Sequence, residues 1–119
     1  MIAHEVLAAI DALDGLLRLI CHQGHAEIGW SGLCTLSEDA VVAAGLGDWD
    51  VHPHEAQAVV ADLAMRLAVS VVHHYRQRHH PWRVRGDTRE STFSVLDLLR
   101  TLHAMPVVHG DMWAALETA

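Results

Sequence analysis

Apolar positions in this chain recur mostly at three- and four-residue spacing, the period of a helix with one buried face. Over residues 2–22 the recurring set is Ile2, Val6, Ile10, Leu13, Leu17 and Ile20, with Leu7 and Leu16 widening the stripe. Gly15 weakens this helix by about 1 kcal/mol relative to alanine without interrupting the period, and Gly24 marks its end. The stretch GHAEIGWSGLCTL, residues 24–36, has three glycines and no helical period. It predicts a loop with one short extended piece, whose Ile28, Trp30 and Leu33 fold back onto the helices. Thr35 followed by Glu38 has the form of a capping box, with Ser37 as the alternative cap. A short second helix should begin there and end at Gly45 or Gly47.

The strongest periodic signal comes next. Pro53 suits the first position of a helix, neither glycine nor proline occurs between His54 and His80, and Pro81 stops the run. Val60, Leu63, Leu67, Val71 and Tyr75 form the inward stripe, and Ala56, Ala64 and Ala68 permit close packing. About 26 residues rising ~1.5 Å each make a rod of roughly 40 Å. A last substantial helix is predicted from Ser91 or Thr92 to Pro106, with Phe93, Leu96, Leu99, Leu102 and His103 on one side. Asp111 would cap a final short helix carrying Trp113 and Leu116. The fold class is therefore all-α: a small irregular helical bundle with one long central helix, in a single domain spanning residues 1–119.

Composition adds bounds. The chain has 119 residues, of which 51% are hydrophobic, enough for a core. No window reaches the ~20 apolar residues of a membrane span, and MIAHEVLAAI lacks the basic region of a secretory leader. A cytoplasmic protein without membrane association is expected. Its two cysteines, Cys21 and Cys34, form no CxxC pair and read as buried free thiols.

The net charge is -7, unevenly spread. Residues 1–75 carry -8, residues 76–90 carry +3 and residues 91–119 carry -2. An acidic body disfavours binding to the phosphate backbone of nucleic acid. The basic segment, holding Arg76, Arg78, Trp82, Arg83, Arg85 and Arg89, has the tryptophan and arginine content of a protein-binding hot spot. Another protein is the expected partner. A homodimer is a further expectation, since two long helices can pair symmetrically, or one copy's basic patch can meet another's acidic face.

Eleven histidines raise the question of metal. His73 and His80 share one face of the long helix, seven residues apart, and Cys21, His25 and Cys34 compose a thiolate–imidazole set suited to zinc or another transition metal. Neither has a usual metal-ligand spacing. Positive groups at a helix C-terminus also have a simpler role, opposing the helix dipole, so no cofactor is the default. No catalytic residue is assigned. The expected function is that of a non-enzymatic regulator or inhibitor acting through the Arg/Trp patch. The alternative is a small metal- or RNA-dependent enzyme or sensor using clustered histidines.

Overall fold

Among the described residues, four helices and a two-stranded ribbon form in chain order: α1 (Ile2–His22), β1 (Glu27–Gly29), α2 (Trp30–Ala43), α3 (Pro53–His79), β2 (Thr92–Ser94) and α4 (Val95–Ala104). The structure, a computed structural model, describes residues 2–45, 53–79 and 92–105, and gives no side-chain placement for residues 2–6 or Pro53. The final helix predicted around Trp113 lies outside the described residues. The expected all-α bundle with one long helix is the observed architecture.

The helices pack as a ring, α1 and α3 each lying against both α2 and α4. One core joins them, with Leu13 and Leu17 of α1, Leu33 and Val41 of α2, Leu67 and Val71 of α3, and Leu98 of α4 fully buried. Burial along α3 changes with position. Its first half buries a narrow stripe of Ala56, Val60 and Ala64; its second half buries Leu67, Ala68, Ser70, Val71, Val72 and Tyr75, over half the circumference. The widening has a cause at the C-terminal end, where Tyr75 stacks edge-on against Phe93 of β2 at 5.3 Å.

Glycine ends the first two helices. Gly24, at φ +91°, closes α1 with Gly24 N–H donating to Cys21 O and His25 N–H to Ile20 O, the paired bonds of a Schellman turn. Gly45, at φ +76°, ends α2 with its N–H donating to Val42 O at 2.9 Å, and selects between the two predicted stops.

The start of α2 differs from the expectation. It begins at Trp30 after an extended Gly29, so Thr35 and Ser37 are not caps. Inside the helix their hydroxyls donate back to Ser31 O at 3.1 Å and Leu33 O at 2.8 Å. The inward set Leu33, Ser37, Ala40 and Val41 contains a serine, which broke the apolar period in the sequence. Gly32 is a contact residue: a Cβ there would lie 2.8 Å from Ile28 Cγ1, so glycine lets β1 fold against the first turn of α2.

The start of α4 is corrected too. Residues 92–94 pair antiparallel with β1, Ile28 opposite Phe93, and Val95 N–H continues to Ala26 O at 2.9 Å. Only then does Ser94 cap the helix, its Oγ accepting from Asp97 N–H. Of the predicted side, Phe93, in a strand, and Leu102 are buried and Leu99 packs against the core, whereas Leu96, 51% exposed, and His103 face outward. Val95, Leu98 and Thr101 complete the inward face.

Within His54–His79 of α3, one 18-residue window reaches a mean hydropathy of 1.3, long and apolar enough by length and composition alone to cross a membrane. Asp62 and Arg66 in its middle pair with each other at 3.0 Å. In the bundle 44% of that window is buried against the other helices.

Leu98→Ala should cost about 2–5 kcal/mol of stability and Leu96→Ala no more than about 0.5. Urea unfolding of the two variants checks this, and equal costs would contradict the inward face assigned to α4.

Candidate functional site

The bases of the sequence concentrate in the last third of α3, where the helix spreads them around the rod. His73 and Arg78 are exposed; His74, Arg76 and His79 are half-buried. Arg76, Arg78 and His79 sit in the last turn, where positive charge opposes the dipole. His74 Nδ1 lies 2.8 Å from Ser70 O. A carbonyl only accepts, so Nδ1 carries the proton and Nε2 is an acceptor while the ring is neutral. His79 packs its ring on Tyr75 at 4.9 Å, and its Nε2 is buried with no hydrogen-bond partner among the described residues.

Between this part of α3 and the end of α4 is an open hollow of about 220 Å³, lined by His74, Gln77, Arg78, Thr101, Ala104 and Met105. It is smaller than the ~300–1,000 Å³ of small-molecule pockets. A single side chain fits it better than a cofactor does. Thr101 has its hydroxyl committed to Asp97 O at 2.7 Å. The side-chain donors of the hollow therefore come from the α3 wall.

Of the predicted partner-binding residues, Arg76 and Arg78 are placed at this end of α3, whereas Trp82, Arg83, Arg85 and Arg89 lie outside the described residues. Among the described residues, no three His, Cys, Asp or Glu side chains are grouped to share a metal ion. Cys21 is exposed in the last turn of α1, His25 is exposed just beyond its end, and Cys34 is half-buried in α2. His73 is on the outer face of α3; its proposed companion His80 is outside the described residues. Both cysteines are free thiols, but Cys21 is exposed rather than buried. Burial, with the nearby Glu38 carboxylate, pushes the Cys34 thiol pKa up.

One polar cluster had no signal in the sequence. His103 Nε2 of α4 lies 3.0 Å from Asp14 Oδ1 of α1, while Arg18 Nε donates to Asp14 Oδ2 at 2.8 Å. Arg18 Nη2 is also 3.2 Å from His103 Nε2. A protonated Nε2 donates to Asp14; an unprotonated one accepts from Arg18, so the ring keeps a partner in either state. His103 and Arg18 are more than half exposed, and the cluster ties α1 to α4. Asp14 and His103 are 89 positions apart, a separation that only the fold closes.

No protein-family model, curated protein or solved structure matches the chain.

Cys21 should react with a thiol-specific disulfide reagent well before Cys34, because exposure and thiolate fraction both set the rate. Glu38→Gln should lower the Cys34 pKa and narrow the gap. Stopped-flow labelling with peptide mapping reads both, and faster labelling of Cys34 would contradict its burial.

Proposed function

We propose that this protein is a non-enzymatic, cytoplasmic regulator or inhibitor that works by binding another protein, and that the basic end of α3 is the surface it uses. The supporting observation is the hollow between α3 and α4, where Arg78, His74 and Gln77 stand beside apolar Ala104 and Met105 on a chain of net charge -7. An acidic side chain of the partner suits it: guanidinium pairs with carboxylate in a two-bond fork, and the apolar residues receive the methylene stem. Arg76 and the segment containing Trp82, Arg83, Arg85 and Arg89 extend the same charge in sequence. The remaining acidic surface repels a polyphosphate, whose charge is of one sign throughout, and steers a partner that carries basic surface beside its acidic side chain. Occupying an acidic segment of the partner is then the means of regulation.

A glutamate-rich peptide and an RNA oligonucleotide of matched charge, titrated calorimetrically into untagged protein, separate the function classes. Peptide binding should fall at least about tenfold in Arg78→Glu and in the double variant Arg83→Glu/Arg85→Glu, with circular dichroism unchanged. Unaltered affinity in both would reject this surface. RNA cleavage lost in His73→Ala, or one metal ion per chain in native mass spectra, would instead support the enzyme or sensor class.

A further inference from the structure

The outer face of α3, a quarter turn from the wall of the hollow, carries a second pattern. Glu55, Val59, Asp62, Arg66, Val69 and His73 follow one another at alternating steps of four and three residues, which aligns them along one line of the helix. Val59 is 48% exposed and Val69 43%, with Met65 beside them at 48%. Glu55, Asp62 and His73 are also exposed. Every acid in the line precedes every base.

We infer that this line is an interface with a second copy of the chain, packed antiparallel about a two-fold axis level with Ala64. In that arrangement Asp62 meets the partner's Arg66, Val59 meets the partner's Val69, and Glu55 meets the partner's His73. Each contact occurs twice, as two-fold symmetry requires. The Asp62–Arg66 bridge within each helix, 3.0 Å long, faces its symmetry mate, so the four charges alternate in sign around the axis. A parallel pair would set like charge against like along the whole line, and that juxtaposition is strongly unfavourable. The apolar residues supply area and the charges supply direction and register, as in paired helices generally. The surface leaves Arg78 and the hollow free, so the dimer stands independently of the proposed function.

Sedimentation velocity of the full chain, from micromolar to millimolar concentration, tests this. A dimer weakened by salt is expected. Asp62→Arg and Arg66→Asp should each weaken it at least about tenfold, and mixing the two variants should restore association, because each then meets its complement. Helix damage within one chain is not repaired by mixing. With Cys21 and Cys34 replaced by serine, Val59→Cys/Val69→Cys should cross-link residue 59 to residue 69 between chains; the two are about 15 Å apart within one helix and cannot bridge. A chain monomeric at every concentration overturns the proposal and leaves the face to a different partner. A dimer unaffected by either charge reversal, or cross-linked 59 to 59, overturns it as well.

Discussion

Pairing of two three-residue strands is the constraint on which the arrangement of this bundle depends. β1 runs directly into α2 and β2 directly into α4, so their antiparallel pairing fixes the starts of the two helices at opposite ends of one short ribbon. A two-stranded ribbon is marginal alone, and a helix as short as α4, 10 residues, is marginal in water too. Each is held by burial of the other's neighbours. Phe93, 1% exposed, is the shared element: it is in the ribbon by hydrogen bonding, in the core by packing, and against α3 through Tyr75. Tyr75 Oη also lies 3.5 Å from Ser94 N, so the same contact orients the residue that caps α4.

That junction decides what the last third of α3 can present. Tyr75 is committed to the core, and His79 leans on its ring, so the positions between them are sorted by direction. Arg78 and His74 flank the hollow with α4, whereas His73 points away from it on the outer face. A run of bases that looks continuous in sequence is thus divided between two surfaces by helical geometry. The hollow exists because α4 stops at Ala104, with Met105 turning into an extended conformation at ψ 136°. A longer α4 would cover the same part of α3.

Much of the fold was legible because single elements carried undisturbed signals. The bounds of α1 and α3 followed from an unbroken apolar period, and Pro53 and Gly24 marked ends for reasons of backbone geometry. The errors fell where a side chain served a tertiary purpose that locally resembles another. Thr35 and Ser37 look like caps but bond back within α2, and Gly32 looks like a loop residue but makes room for Ile28. Phe93 looked helical because the strand it occupies needs a partner 65 residues earlier. The proposed surface was legible only as a charge run. The partition of that run, and the meeting of His103 with Asp14, depend on helix packing that no local spacing encodes.

The order of charge along α3 has a cause inside the helix as well as a use outside it. Acids near an N-terminus and bases near a C-terminus favour any helix through its dipole, and Glu55 and Arg78 sit where that effect operates. The dipole acts within the first and last turn, however, and Asp62 and Arg66 are at the middle of the rod, beyond its reach. An intrahelical pair accounts for their opposite signs but not for the exposed valines spaced symmetrically around them. Val59 is three residues before Asp62, and Val69 is three residues after Arg66. Dipole compensation, core burial and local ion pairing each explain part of the pattern. Its reversal symmetry is the feature that a second, antiparallel copy explains.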